Sequence, residues 1–392
     1  MDKFLKYIRV YLCPSVVQMR FLKKQPKKIK IFSLEAAERR IKIVHKGFLI
    51  MKNFKKEALF WQTRQDGRVQ CQLCPHECLI SEGQKGICQT REVSQGKLYS
   101  LYYSQVASIG QIDPIEKKPL YHFYPGSKVL SFGSISCNLK CAHCQNYSLS
   151  QTYDNRSLIT LSAEKILSMA RQTQCDGIAW TYNEPTIHFE TYYEWSQVLK
   201  KNGLFIVWVS NSYINAEPLQ KIAPFLDAIN FDVKGFTEEF YSKYTKSRLK
   251  PVLDSCILAK KLGIHQELTY LVIPTLNDSV QEISSYLDWV EQNLGKETPL
   301  HFSRFHPDHL LTHLPPTPRE KILQIIEMTK ERKFPYVYAG NLYPNPYEDT
   351  ICPSCNQTLV KRAGYYVGEI NITQDKKCKF CHTSIDIPVK SF

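Results

Sequence analysis

No apolar run in the 392-residue chain approaches the roughly 18 residues needed to cross a bilayer, which argues against an integral membrane protein. No secretory signal precedes the cysteines, so a reducing, cytoplasmic setting is expected, where clustered thiols mean metal rather than disulfides. No internal repeat or low-complexity segment is present. Hydrophobic residues make up 43% and charged residues 22%, which excludes wholesale disorder, collagen and coiled coil. A general basic excess is lacking too. The net charge is +14, but residues 1–56 hold twelve Lys, four Arg and three acids, leaving the body nearly neutral. The stretch Lys23-Lys24-Gln25-Pro26-Lys27-Lys28 reads as a solvated arm. Its Lys-rich make-up fits a transit peptide poorly, and Met51 is an alternative start. What the chain has in quantity is cysteine, fourteen in all.

Eleven of these fall into three groups: Cys71, Cys74, Cys78 and Cys88; Cys137, Cys141 and Cys144; and Cys352, Cys355, Cys378 and Cys381. Cys13, Cys175 and Cys256 stand alone, as small core residues do. Between the second and third groups, apolar strands alternate with amphipathic helices. The strands are expected at 129–135, 177–182, 205–210, 228–233, 266–273, 300–305 and 336–339. Ser162 is expected to cap a helix over 163–173, residues 282–292 form another, and Thr317-Pro318-Arg319-Glu320 reads as a capping box opening a third to about Arg332. Such units predict an α/β fold with a parallel sheet, open or rolled into a barrel, whose reactive groups gather at the C-terminal strand ends. The chain divides into a basic extension (1–56), a Cys-rich segment (57–128), the barrel (129–345) and a C-terminal module (346–392).

The central signal is Cys137-Asn138-Leu139-Lys140-Cys141-Ala142-His143-Cys144, directly after the first of those strands. Three thiolates on one short loop can hold three corners of a [4Fe–4S] cluster, and thiolate is the ligand such clusters take. With no fourth Cys in the run, one iron is left for the amino and carboxylate groups of S-adenosylmethionine. Structural zinc wants four ligands, usually in C-x2-C pairs, and fits this run poorly.

The run and its setting resemble the radical S-adenosylmethionine superfamily. Asp113-Pro114-Ile115-Glu116-Lys117-Lys118-Pro119-Leu120, Cys144-Gln145-Asn146, Thr181-Tyr182-Asn183-Glu184-Pro185-Thr186, Asp232-Val233-Lys234-Gly235 and Gly340-Asn341 further resemble one branch. That branch is the pyruvate-formate-lyase-activating-enzyme-like radical protein of the AmmeMemoRadiSam system, and the likeness runs from about residue 57 to about 370. The resemblance implies a partial (β/α)6 TIM-like barrel that splits S-adenosylmethionine into methionine and a 5′-deoxyadenosyl radical. It implies that Glu184 accepts from the cofactor's ammonium, that Asp232 meets a ribose hydroxyl and that Lys234 meets the methionine carboxylate. Asn146, Asn183 and Asn211 are further cofactor contacts. Tyr182 and Asn183 stand where most of the superfamily has two glycines, and His143 where it has an aromatic residue. Arg304, His306 and His309, after the sixth strand, are candidates to face substrate. The partners implied are a flavodoxin- or ferredoxin-type reductant and Memo-like and AMMECR-like proteins.

The flanking groups read as metal sites. Cys71, Cys74, Cys78 and Cys88 supply four thiolates within eighteen residues, a closed set for zinc or an auxiliary cluster. Cys352, Cys355, Cys378 and Cys381 form two C-x2-C knuckles 22 residues apart, with strand-like residues 359–360 and 365–372 between them, as in a zinc ribbon. The expected function is hydrogen abstraction from an unidentified substrate. Activation of a glycyl-radical enzyme is the rival within the same chemistry. A non-catalytic, metal-rich nucleic-acid-binding module is the rival outside it, and the neutral body opposes that and tRNA modification alike.

Overall fold

The computed structural model describes residues 54–153 and 157–390; the basic arm before residue 54, with Cys13, lies outside them. Seven strands lie parallel: β1 (Lys128–Phe132), β2 (Gly177–Trp180), β3 (Phe205–Ser210), β4 (Ala228–Asp232), β5 (His265–Val272), β6 (Leu300–Arg304) and β7 (Val337–Gly340). Most of their residues are apolar and buried, as in β3, Phe-Ile-Val-Trp-Val-Ser, because helices and interior cover both faces of a parallel sheet. The strand residues pair in sequence order, so each crossover lays one helix outside the sheet. These are α1 (Ala163–Gln172), α2 (Phe189–Lys201), α3 (Ala216–Ile222), α4 (Leu249–Lys261), α5 (Val280–Asn293) and α6 (Arg319–Glu331).

All seven expected strands are present, so the six-unit barrel implied by resemblance gains a seventh parallel strand. An eighth, Gln111–Pro114, runs antiparallel to β1. It and β7 are the two sheet edges, and they do not pair, which leaves the barrel open.

Local signals explain the helices. The Ser162 hydroxyl accepts from the Lys165 amide at 3.3 Å, and α1 turns Ile166 and Ala170 inward. Ser279 caps α5 in the same way, accepting from Glu282 N at 3.1 Å. The expected capping box at Thr317 does not form. Its hydroxyl instead donates to Val272 O at 2.6 Å and accepts from Phe305 N at 2.8 Å, tying the ends of β5 and β6 together, and α6 starts without a side-chain cap. Long-range backbone groups outcompeted the local ones for that oxygen.

The N-terminal ends of the strands are closed by a polar network. Glu267 on β5 accepts from His122 N at 2.7 Å and meets His301 Nε2 at 2.7 Å and His265 Nε2 at 3.1 Å. Below it docks the C-terminal module, a sheet of Thr350–Ile351, Thr358–Ala363 and Tyr366–Ile370 around the small core Cys352, Leu359, Val360, Ile372, Ile385 and Ile387. Buried Arg362 makes the joint. It donates to Tyr121 O at 2.7 Å, lies over the Tyr121 ring and stands 3.7 Å from the Glu116 carboxylate.

The Asp113–Leu120 motif therefore has a structural job. Asp113 holds Lys117 (2.8 Å), buried Lys118 (2.7 Å) and the Tyr182 hydroxyl (2.7 Å), while Glu116 faces Arg362. Burial pushes the Lys118 ammonium down to about 8, with Asp113 opposing. No helix among the described residues is long and apolar enough to cross a membrane.

Candidate functional site

The central cysteine run and the candidates Asn183, Glu184, Asn211, Asp232 and Lys234 lie at the opposite, C-terminal ends of the strands. The Cys137–Cys144 loop leaves β1 and is pinned by backbone bonds to the π-helical turn Tyr241–Thr245: Lys140 N to Thr245 O at 2.9 Å and Ala142 N to Tyr244 O at 2.8 Å. From the other side, Leu310 N donates to Ala142 O at 3.0 Å, and His309 stacks on Tyr147 at 4.7 Å. Of the candidates Arg304, His306 and His309, His309 thus lies beside the cysteine loop, on Tyr147. Arg304 Nε donates to Thr317 O at 2.7 Å, and His306 Nδ1 meets the neighbouring Pro307 carbonyl at 3.1 Å.

The entry to the loop is fixed by Asn183. Its amide nitrogen donates to Ile135 O and Ser136 O, and its oxygen accepts from Ser134 N at 2.9 Å. A side chain at Gly133 would come within 2.7 Å of Thr181 O, so this crossing needs glycine. Asn211, after β3, donates to Asn138 Oδ1 at 2.9 Å and to Cys137 Sγ at 3.4 Å, and Leu139 N also points at Cys137 Sγ, at 3.3 Å. Cys144 Sγ lies 3.1 Å from Ser150 Oγ. Asn146 precedes the short helix Tyr147–Ser150 without capping it through its side chain.

Glu184 is deeply buried and heavily used by the protein itself. One oxygen accepts from Thr186 N (2.9 Å), Thr186 Oγ1 (2.6 Å) and Ser210 Oγ (2.9 Å); the other accepts from Asn211 N (2.8 Å). A carboxylate has about four acceptor positions, two on each oxygen, so capacity remains on the second oxygen alone. Burial raises the Glu184 pKa against these four donors. Its tethering of β2 to β3 runs through Ser210 and Asn211 N, of which Ser210 escaped the sequence reading because no local pattern marks it, while Thr186 is the local partner two residues on.

Lys234, just past β4, donates to Asp232 at 3.0 Å. Burial opposes its charge, but Asp232 and the Cys141 and Cys144 thiols outweigh that and hold the ammonium charged. As free thiols, Cys137 and Cys141 are pushed up by burial and by their sulfur neighbours, Cys141 to about 12 with Lys234 pulling the other way. His143 is buried with neither ring nitrogen partnered, and burial followed by the nearby Lys234 charge pushes it down to about 3, so it is neutral.

The donor set fits a cluster better than a single ion. Thiolates around one zinc stand about 3.8 Å apart, whereas those on a cubane, each extending outward from its own iron, stand about 6 Å apart. Among the described residues, one group alone has three or more ligand atoms within 4.8 Å of one another: Cys352, Cys355, Cys378 and Cys381, with sulfur pairs at 3.7 and 3.8 Å. Cys137, Cys141 and Cys144 do not meet that limit, though Cys137 is close enough to feel Cys141 and Cys144, and Cys141 to feel Cys144. Two N–H groups on Cys137 Sγ and a nearby ammonium suit a thiolate-bound anionic centre.

The Radical SAM superfamily model matches residues 134–287, which span this loop and the strand ends through β5. The chain belongs to the radical SAM superfamily. The uncharacterized protein MJ0808 of Methanocaldococcus jannaschii is 43% identical over 85% of this chain and 99% of its own length. A (2S)-3-sulfopropanediol dehydratase activating enzyme of Klebsiella oxytoca is 28% identical over 30% of this chain and 38% of its own. Among solved structures, a radical SAM methyltransferase from Sphaerobacter thermophilus is similar with a TM-score of 0.44 at 14% identity, over 60% of this chain and 71% of that one. Membership makes this radical SAM protein an enzyme whose family chemistry is reductive cleavage of S-adenosylmethionine at an iron–sulfur cluster, driven by an external reductant.

Proposed function

We propose that this enzyme abstracts hydrogen from a substrate through a [4Fe–4S] cluster held by Cys137, Cys141 and Cys144, as a member of the AmmeMemoRadiSam branch. When bound, the cluster and S-adenosylmethionine supply an electron and a 5′-deoxyadenosyl radical, the cofactors' own chemistry. The observation that carries the reading is the cysteine loop at the strand ends, three thiols in one short run, with Asp232 and Lys234 beside it.

In this reading Lys234 orients a carboxylate by charge and Asp232 accepts from a hydroxyl. Asn211 donates to Cys137 Sγ and sets the loop, and Asn183 shapes its entry. Glu184 has its second oxygen for an ammonium, and Asn146 lines the outer edge. His143 supplies a neutral, dry wall that keeps water from the reacting centre. The C-terminal four cysteines would hold zinc, which their sulfur spacing supports. The proposed domains divide near 57, 129 and 346; a flavodoxin- or ferredoxin-type donor and Memo-like and AMMECR-like proteins are the partners, in the cytoplasm.

Anaerobically reconstituted protein, given S-adenosylmethionine and dithionite, is expected to form 5′-deoxyadenosine. Cys141→Ala should abolish it, and unchanged cleavage by that variant would overturn the reading. Deuterium carried from a candidate substrate into 5′-deoxyadenosine then identifies the substrate. The activating-enzyme relative favours a second reading, glycyl-radical installation on a partner protein. A glycyl-radical doublet in the EPR spectrum of that partner would separate the two.

A further inference from the structure

The N-terminal cysteines form a site of their own. Cys71 ends the strand Val69–Cys71, Cys78 precedes its hairpin partner Leu79–Ile80, and Cys71 N bonds Cys78 O at 2.9 Å. Cys74 sits in the turn between them, and Cys88 returns along the segment that carries Arg91. All four line one cavity, with His76, Asn138 and Arg91 among its walls. All four are free thiols, three of them buried. Gly86 brings its backbone close: an added Cβ would lie 3.6 Å from Cys78 Sγ and 3.3 Å from Ile80.

Two observations choose the ligand. No three of these thiols lie within 4.8 Å of one another, unlike the C-terminal four, although all four surround the same space. A zinc-sized centre would draw them to about 3.8 Å. Secondly, Arg91 is 1% exposed and turns its guanidinium toward this cavity. One terminal nitrogen pairs with Glu190, the other donates to Leu59 O at 2.8 Å and lies 3.6 Å from Cys71 Sγ, and Nε–H has no partner. An unpaired buried donor beside four thiols calls for a larger anionic acceptor, such as the sulfurs of a cluster.

The cavity also abuts the catalytic loop. Asn138, the residue after Cys137, lines it; His76 Nε2 meets Asn138 O at 2.8 Å, and Ser136 Oγ donates to Cys88 O at 2.6 Å. Asn138 Oδ1 is 3.7 Å from Cys137 Sγ. The four-thiol site and the loop thus share one layer of side chains.

We propose that Cys71, Cys74, Cys78 and Cys88 bind a second, fully ligated [4Fe–4S] cluster that relays electrons to the catalytic one. One electron enters it from a flavodoxin- or ferredoxin-type donor and leaves for the Cys137–Cys144 cluster, so the relay is unchanged after each turnover. The relay half rests on the radical SAM reading; the binding half does not.

The test uses full-length protein purified and reconstituted without oxygen. Wild type should hold about eight iron and one zinc per chain. The variant C137A/C141A/C144A should keep about four iron, and C71S/C74S should keep the other four. In the first variant the reduced cluster's EPR signal should ignore S-adenosylmethionine, because no iron is open. About four iron and two zinc in wild type would overturn the proposal whatever the variants do. If C71S/C74S instead lacks all iron but keeps its zinc, the wild-type count still decides. For the relay, 5′-deoxyadenosine formation driven by a flavodoxin-type donor should fall at least tenfold in C71S/C74S while cleavage driven by dithionite persists; equal rates with the flavodoxin would overturn it. Failure of wild type itself to cleave with dithionite would count against the catalytic reading instead.

Discussion

The two four-cysteine groups have the same ligand inventory and opposite surroundings. The C-terminal set closes to sulfur pairs of 3.7 and 3.8 Å at the rim of a small module, with Cys381 exposed. The N-terminal set stands apart around an enclosed cavity walled by the catalytic loop and a buried arginine. Spacing along the chain read the C-terminal set as a zinc ribbon and left the N-terminal set open between zinc and a cluster; among the described residues, the C-terminal set alone brings its sulfurs within 4.8 Å of one another. In the roles proposed above, the first set builds a fold and the second serves a neighbour.

The largest expected contrast concerns stability. The module's core is too small to fold alone, and a structural zinc contributes on the order of 10 kcal/mol to such segments. In C352S/C378S, hydrogen exchange over residues 350–390 should lose its protection while β1 to β6 keep theirs. Retained protection in the module would erase the contrast. C71S/C74S should leave the module's protection unchanged.

Next in size is the joint that docks the module. Arg362→Ala strands the buried Glu116 carboxylate, and breaking such a pair costs about 3–5 kcal/mol. A fall in urea midpoint of that size, with zinc retained, is expected; a change within error would mean that Glu116 is satisfied without Arg362. The corresponding joint at the other end is lighter: His76→Ala removes the contact with Asn138 O, for about 1 kcal/mol. Its effect should appear mainly as a changed EPR line shape of the catalytic cluster.

A smaller, graded effect separates the barrel's closed end from its reactive end. Burial pushes His122 down to about 3 and His188 to about 4. An unfolded chain takes up protons on them near pH 6.5, whereas the folded chain does not. Their contribution is therefore present above about pH 6.5 and is lost as pH falls toward 4 and then 3. Urea midpoints at pH 7.5 and 5.0 should differ less in His122→Gln than in wild type.

Much of this was legible in the sequence. Continuous apolar runs such as Phe-Ile-Val-Trp-Val gave the strands, and Ser162 gave the start of α1, because both are local signals. What escaped was long-range. Thr317 has the pattern of a capping residue and spends its hydroxyl on β5 and β6. Glu184 has the place of a ligand-binding acid and spends three of its four hydrogen bonds on Thr186 and Ser210. The Asp113 motif stood out as a resemblance, yet its work is an ion pair with Lys118 and a hydroxyl bond from Tyr182, 69 positions away. No short window of sequence joins Glu184 to Ser210, Asp113 to Tyr182 or Thr317 to Val272.

The most direct measurement is EPR of the dithionite-reduced full-length protein with and without S-adenosylmethionine. The account requires two cluster signals: one that shifts when the cofactor is added and vanishes in Cys141→Ala, and one that does neither. A reduced cluster signal in which nothing responds to the cofactor would mean that no iron is left open at Cys137–Cys144, and would contradict the account at its centre.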